Sequence, residues 1–294
     1  MAAKIISGTD TARQISEELI KEVAKLKTGG IVPGLATVIV GCDGPSLTYV
    51  GSKVAMCQKL GMYPERYDLP ADISEEKLLD LITQINADPK IHGLLVQLPL
   101  PKHISETRVL MAVSHLKDVD GLHPINVGKI SIGEDGFLPC TPAGVHELLL
   151  RSGVKIEGSD VVVVGRSNIV GKPVANLLSQ KGPMANATVT ICHSQTRDLK
   201  QHTLRADILI AAIGRPRCIT ADMVKDGVVV IDVGTNEVGK TPEGKRILAG
   251  DVDFEHVKDK AAAITPVPGG VGPMTIVMLM KNTVKAAKTA AGLR

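Results

Sequence analysis

The chain has 294 residues, with 34 Lys plus Arg against 31 Asp plus Glu and a net charge of +3; no basic excess is present to track a nucleic-acid backbone. Hydrophobic residues make up 44%, enough for a real core, and aromatics only 2%, so that core has to be aliphatic. At roughly 150 residues per domain the length corresponds to about two domains, and no apolar run approaches the roughly 18 residues that span a bilayer.

In chain order, Thr9 or Asp10 is placed to cap a first helix whose Ile15, Leu19, Ile20, Val23 and Leu26 share one face, and Gly29-Gly30 stops it. Leu35 to Val40 has the size of a buried strand. A second helix opens at Ser46, carries Tyr49, Lys53, Cys57 and Leu60, and closes at Gly61. A third begins at Ser74, a partial capping box because Lys77 stands where an acid belongs, and presents Leu78, Leu81, Ile82 and Ile85. The run from Gly93 to Val96 ends in Gln97-Leu98-Pro99-Leu100-Pro101, where the prolines stop a central strand.

A second series follows residue 140. Its clearest strands are Asp160 to Val164, Ala187 to Cys192, Asp207 to Ile213 and Val228 to Val233, with a helix from Gly171 to about Gln180 after the first. The stretch Gly272 to Gly292 is helical, with Pro273 suited to a first turn. Alternating helices and short aliphatic strands predict parallel sheets covered on both faces. The expected architecture is α/β with two domains and a cleft between them: residues 1–140, completed by the helix 272–294, and a Rossmann-like domain over 141–271.

The opening MAAKIISGTDTARQ lacks the apolar stretch of a signal peptide and carries an early acid. Five cysteines (Cys42, Cys57, Cys140, Cys192 and Cys218) form no CxxC and read as reduced thiols in a cytoplasmic setting. The eight histidines include no HxH or HExxH spacing, so no metal site is expected. Neither a membrane nor a nucleic acid is an expected partner.

The segment VVVVGRSNIVGKP, Val161 to Pro173, reads as strand, glycine turn and helix start, the context in which backbone N–H groups meet a pyrophosphate. Its glycines, Gly165 and Gly171, depart from the usual GxGxxG spacing. An NAD site places an acid after the second strand to accept from the ribose 2′-hydroxyl. Here that strand ends Cys192-His193-Ser194-Gln195-Thr196, without an acid, and Arg166 sits in the turn. Arg166 and Ser194 suit a 2′-phosphate, which favours NADP.

Tyr49 and Lys53, four apart, share a helix face. In short-chain dehydrogenases a YxxxK pair follows the glycine motif; here it precedes that motif by more than a hundred residues, which argues against that family.

Taken together, YVGSKVAMCQKLG, VQLPLP (96–101), KDVDGLHPINVGK (117–129), CTPAGV (140–145), GRSNIVGKP (165–173), CHSQT (192–196) and ITPVPGGVGPMT (264–275) resemble the bifunctional methylenetetrahydrofolate dehydrogenase/methenyltetrahydrofolate cyclohydrolase family, in order and over nearly the whole chain. The stretch LLSQKGPMANATV, Gly51-Ser52 and Thr235 depart from the family pattern. The resemblance implies an enzyme of one-carbon metabolism, a homodimer, that oxidises 5,10-methylenetetrahydrofolate with NADP+ and hydrolyses the methenyl product to 10-formyltetrahydrofolate. It implies Lys53 as the residue of the hydrolytic step, with Tyr49, Gln97 and Asp120 as its catalytic companions and Asp118 as fallback for Asp120. Substrate contacts extend to Val96, Leu98, Pro268, Gly269, Gly270, Val271, Gly272, Pro273 and Thr275. NADP contacts fall on Gly165, Arg166, Ser167, Ser194 and Thr235. Competing readings are a dehydrogenase-only relative and a non-catalytic folate- or nucleotide-binding module.

Overall fold

The computed structural model describes residues 3–41 and 44–293, with residues 44–48 described as backbone only; Cys42 lies outside the described residues. The first half of the chain runs β1 (Lys4–Ile5), α1 (Gly8–Thr28), β2 (Gly34–Val40), α2 (Gly44–Lys59), β3 (Tyr63–Leu69), α3 (Glu75–Ala87), β4 (Gly93–Val96), α4 (Glu106–Ala112) and α5 (Pro124–Ile132). The second half runs α6 (Cys140–Arg151), β5 (Asp160–Val164), α7 (Gly171–Leu178), β6 (Thr188–Cys192), α8 (Leu199–Thr203), β7 (Ile208–Ala211), β8 (Val229–Asp232), β9 (Asn236–Lys240), β10 (Arg246–Ala249), α9 (Phe254–Val257), β11 (Ala263–Ile264) and α10 (Val271–Ala290). Two compact units result. One comprises Gln14–Lys129, Asp135–Cys140 and the chain from Ile276 onward; the other comprises residues up to Arg13, Ile130–Glu134 and Thr141–Thr275.

The first of these units is built on a parallel sheet of order β3-β2-β4. All seven residues of the central β2 are buried, as a strand covered on both faces requires. Ala36, Val38, Leu78, Ile82, Ile85, Leu94 and Val96 pack into one aliphatic core. Ser74 caps α3 by accepting from the Lys77 amide at 3.4 Å. β3 was not anticipated. Its YPERYDL alternates exposed and half-buried residues, and its charged face protects an open edge instead of announcing a hydrophobic run.

The other unit holds six strands in the order β1-β11-β8-β7-β5-β6, every pairing parallel. Val162, Val164, Leu209, Val230 and Ile264 anchor its core. The chain leaves β5 for β6 on one side and returns to β7 on the other. The order therefore reverses between β5 and β7, and the crevice beyond their carboxyl ends is the switch point at which such sheets bind ligands. A separate antiparallel ribbon, β9 with β10, stands outside the large sheet.

Local expectations are corrected at three places. The hydroxyl of Ser7, not Thr9 or Asp10, caps α1 by accepting from the Asp10 amide at 3.1 Å. Ile20 is exposed, while Ala12, Ile15, Leu19, Val23 and Leu26 form the buried stripe. The helix expected to open at Ser46 starts at Gly44.

Candidate active site

Three segments bring polar side chains to the carboxyl end of the small sheet. α2 supplies Tyr49 and Lys53 on one face, and the lysine amine lies 4.4 Å from the centroid of the tyrosine ring. The residue that follows β4 is Gln97, whose amide continues the ladder by donating to the Val38 carbonyl at 2.8 Å. The extended stretch around Asp118 pairs in parallel with Leu94 and carries the chain on to Asp120.

Lys53 is 5% exposed, and its Nζ donates to Gln97 Oε1 at 2.9 Å. Gln97 Nε2 in turn donates to the Leu98 carbonyl at 2.7 Å, which fixes which end of the amide faces the lysine. Burial lowers the Lys53 pKa from the ordinary 10.5; the negative charge of Asp120 opposes the shift. Val96 ends β4 buried, and a cavity of about 170 Å³ lined by Ile39, Val40, Gly41, Gln97, Pro99, Leu100 and Pro101 opens beside the glutamine. Tyr49, Lys53, Gln97 and Asp120 thus share one locality, within reach of Val96 and Leu98.

Asp118 has a different task. Its carboxylate accepts from the amides of Leu122 (3.1 Å) and His123 (2.8 Å) and from Asn126 Nδ2 (2.8 Å). Those bonds hold the turn into α5, and burial raises the carboxyl to about 6. As fallback for Asp120 it is excluded, because its acceptors are already occupied.

Sequence reasoning missed two neighbours. Cys140 Sγ lies 3.4 Å from the Val119 carbonyl, and burial keeps it a thiol with a pKa well above the ordinary range. Asn282 of α10 donates to the carbonyls of Val119 (2.8 Å) and Leu138 (2.9 Å), holding the strand end from which Asp120 projects. An amide on the apolar face of the last helix was the available signal.

A cavity of about 880 Å³ in the same unit opens instead at the amino ends of the strands, beside Gly30, Tyr63, His92 and Lys117. Its Asn86 and Lys117 are spent on backbone: Asn86 on Ala112 and Ser114, Lys117 on Ile85 and Asp88. It is not where the catalytic-type groups converge.

In the six-stranded unit the glycine turn is explained by two close approaches. A Cβ on Gly165 would come 2.2 Å from the Ala212 carbonyl oxygen, and one on Gly171 would come 2.1 Å from the Gly165 oxygen. The turn folds onto itself, so the five-residue spacing does what the usual fingerprint does with three glycines. Ser167 Oγ accepts from the amides of Val170 (3.1 Å) and Gly171 (3.3 Å). Part of the helix N-terminus expected to face phosphate is therefore capped from within.

Arg166 beside Gly165 is exposed, as are Ser194 and Thr235. The loop after β6 is shaped by the His193 amide donating to Thr196 Oγ1 at 2.8 Å; its first four residues, His193 to Thr196, carry no carboxylate, and the acid that follows, Asp198, is spent capping α8 by accepting from the Gln201 amide at 3.2 Å. A cationic turn and a stretch without an acid directly after β6 fit a 2′-phosphorylated dinucleotide. Pro268 and Gly272 are exposed, whereas Gly270 and Val271 are buried. Gly269 accepts from the Thr9 amide, Thr275 shares a hydrogen bond with Thr141 at 3.0 Å, and Pro273 is half-buried in the first turn of α10. No group of three or more His, Cys, Asp or Glu among the described residues could hold a metal, and no helix among them is long and apolar enough to cross a membrane.

A doubly wound sheet with a glycine turn at its switch point, in one chain with a second sheet that buries an amine against an amide, has the build of a dinucleotide-dependent enzyme. The profile described as "Tetrahydrofolate dehydrogenase/cyclohydrolase, catalytic domain" matches residues 6–120, and that of the corresponding NAD(P)-binding domain matches residues 139–291. The chain is 65% identical over 294 residues to the "Bifunctional protein FolD" of Dehalococcoides mccartyi (strain CBDB1), covering 100% of this chain and 99% of the relative. The crystal structure of the bifunctional methylenetetrahydrofolate dehydrogenase/cyclohydrolase of Campylobacter jejuni superposes with a TM-score of 0.92 at 47% identity, covering 98% of this chain and 99% of that one. The Trypanosoma brucei enzyme, solved with NADP cofactor and an inhibitor, gives 0.93 at 40% identity, with 99% of both chains covered. The chain belongs to the tetrahydrofolate dehydrogenase/cyclohydrolase family and is a bifunctional enzyme of that kind.

Proposed function

We propose that Lys53 moves the protons of the hydrolytic reaction, and that Gln97, Tyr49 and Asp120 position the folate for it. The overall reaction is oxidation of 5,10-methylenetetrahydrofolate to the 5,10-methenyl cation with NADP+, followed by hydrolysis to 10-formyltetrahydrofolate. The observation that carries the proposal is the buried Lys53 amine, 2.9 Å from Gln97 Oε1 with its pKa lowered by burial.

Water adding to the amidinium-like methenyl carbon must lose a proton, and the ring nitrogen that departs must gain one. The neutral Lys53 amine accepts the first proton and, as ammonium, delivers the second, leaving one net proton to solvent. A cationic substrate beside the amine lowers its pKa further, by the same repulsion that would exclude a permanent cation. Gln97 orients the amine without adding charge, and Tyr49 offers a flat face to the folate rings. Asp120 supplies two acceptors to the paired N–H donors of the pterin edge.

Arg166, Ser167, Ser194 and Thr235 would hold NADP at the β5/β7 crevice, against the backbone of Gly165. When bound, NADP+ supplies the oxidant that takes the hydride from the methylene carbon; the chain contributes placement. Pro268 and Gly272 are the members of the Pro/Gly segment most open to a ligand.

A second copy of the chain is the proposed partner. The β9–β10 ribbon supports this, since Val238 and Ile247 are each 45% exposed on it. A reducing, cytoplasmic setting is supported by Cys57, Cys140, Cys192 and Cys218 all being thiols.

One spectrophotometric assay that follows NADPH and the methenyl species together tests the reading. Growth of NADPH with only transient methenyl absorbance is expected. Stoichiometric methenyl accumulation would mark a dehydrogenase alone, and no change at all would mark a binding module.

A further inference from the structure

The six-stranded unit buries two neighbouring carboxylates that take no part in the chemistry described so far. Asp232 ends β8 and is 2% exposed; Asp251 follows β10 and is fully buried, at 0%. Burying one carboxylate is costly unless its acceptors are filled, and two side by side add mutual repulsion. Each is filled by N–H groups.

Asp251 Oδ2 accepts from the Ile213 and Gly214 amides, the latter at 2.9 Å, while Oδ1 accepts from the Arg215 amide at 3.0 Å and Asn236 Nδ2 at 2.9 Å. Asp232 lies behind it. Its Oδ1 accepts from the amides of Gly234 (3.0 Å) and Asp251 (2.9 Å), and its Oδ2 from that of Val252 (2.9 Å).

What this network holds is one wall of the switch-point crevice. Three consecutive amides, 213 to 215, turn back onto a single carboxylate immediately beyond the carboxyl end of β7. The residue before them, Ala212, donates to the Val164 carbonyl at 2.8 Å, and its own carbonyl is the group that leaves no space for a Cβ on Gly165. The Ile213–Arg215 loop thus faces the glycine turn across the crevice. The same network reaches Gly234 and Asn236, the residues on either side of Thr235.

We propose that Asp251, backed by Asp232, is a positioning residue for dinucleotide binding: it presets the backbone of both the Ile213–Arg215 and Gly234–Asn236 loops. The inference rests on NADP occupying the β5/β7 crevice. A carboxylate is required because every partner is a donor. Asparagine at 251 would keep one acceptor oxygen and aim an NH2 group at amides that also donate. A crevice that must be ordered anew at each binding event loses affinity and not intrinsic rate.

The test is a fluorescence titration of NADPH into wild type, Asp251→Asn and Arg166→Ala, with steady-state kinetics and amide hydrogen exchange on the same proteins. For Asp251→Asn the Kd for NADPH and the KM for NADP+ are expected to rise by about tenfold or more, the equivalent of one charge-assisted hydrogen bond. Its kcat should change far less, and the amides of Ile213, Gly214 and Arg215 should exchange faster while those of Val162 to Val164 stay protected. NADPH binding within about twofold of wild type would overturn the proposal, as would a kcat loss that merely tracks the folded fraction. If Arg166→Ala is weakened and Asp251→Asn is not, the positioning role fails alone; if neither is weakened, the crevice assignment itself fails. Should Asp251→Asn not fold, Asn236→Ala, which removes one donor to the carboxylate, decides: weaker binding supports the role, and an unchanged Kd overturns it.

Discussion

Replacing Lys53 by methionine separates chemistry from packing. The two side chains are similar in length and volume, so the helix carrying Lys53 keeps its contacts and no cavity opens. What is lost is the 2.9 Å bond to Gln97 and the amine over the Tyr49 ring at 4.4 Å. A hydrogen bond to a charged group contributes about 1.5–3 kcal/mol and a cation–π contact about 0.5–2 kcal/mol. Burying an ammonium costs several kcal/mol, and methionine relieves that cost. These contributions oppose one another, and the net stability change is expected to lie within about 1 kcal/mol of zero, a Tm shift of roughly 2–4 °C. The rate effect is much larger. Proton transfer by a placed side chain is worth about 10²–10⁴ in rate, or roughly 2.7–5.4 kcal/mol of barrier. Hydrolysis of methenyltetrahydrofolate, supplied directly and followed by loss of its absorbance, should fall by that factor in Lys53→Met, while NADPH formation from the methylene substrate stays measurable. Hydrolysis within about threefold of wild type would refute the role of the amine; so would a loss no greater than the loss of folded protein.

Three further outcomes are expected. In wild type, because burial lowers the Lys53 pKa, the hydrolytic rate should rise with pH and reach its plateau below the ordinary lysine value of 10.5; a rise centred at that value or above would contradict the neutral-amine mechanism. Asp118→Ala strands the backbone amides of Leu122 and His123, at about 1–3 kcal/mol for each unpaired group, and leaves Asn126 Nδ2 only its bond to the His115 carbonyl, so its denaturation midpoint should drop sharply, whereas Asp120→Asn should raise the folate KM with little change in midpoint. Arg166→Ala should weaken NADP+ by about 10–100-fold, the loss of a charge-assisted contact, and weaken NAD+ far less; equal losses would show that Arg166 does not read the 2′-phosphate.

A linked pH effect concerns Asp118 and Asp232, each raised by burial to about 6 from an ordinary 3.8. The native state binds these protons more tightly than the unfolded chain does. Their contribution to stability is therefore fully present below about pH 4 and is lost as pH rises through 6, up to about 3 kcal/mol for each group. Titration of the two carboxyl carbons by NMR should give midpoints near 6; midpoints near 4 would remove the effect.

Local pattern was enough for much of this protein. The bounds of Asp160–Val164, the serine cap at the start of Glu75–Ala87 and the shared face of Tyr49 and Lys53 all follow from neighbours within four residues. So did the preference for NADP, which needed only an arginine in the turn and the absence of an acid after the second strand. Short-range pattern failed where burial is one-sided or polar: Tyr63–Leu69 lies at an edge, and the β9–β10 ribbon is largely exposed, so neither shows an apolar run.

Tertiary structure decided the rest. Lys53 meets Gln97 across 44 positions only because two parallel strands pair side by side. Asp118 and Asp120 are two residues apart, and composition cannot separate them; the difference is that folding turns three donors onto one and leaves the other beside the amine. The same holds for Asp251, an ordinary acid in the sequence that becomes an anchor once four N–H groups converge on it. Periodicity and turn chemistry are local properties of a chain. Which polar group is spent on backbone and which is left for a ligand is settled only when distant segments share the same low-dielectric space.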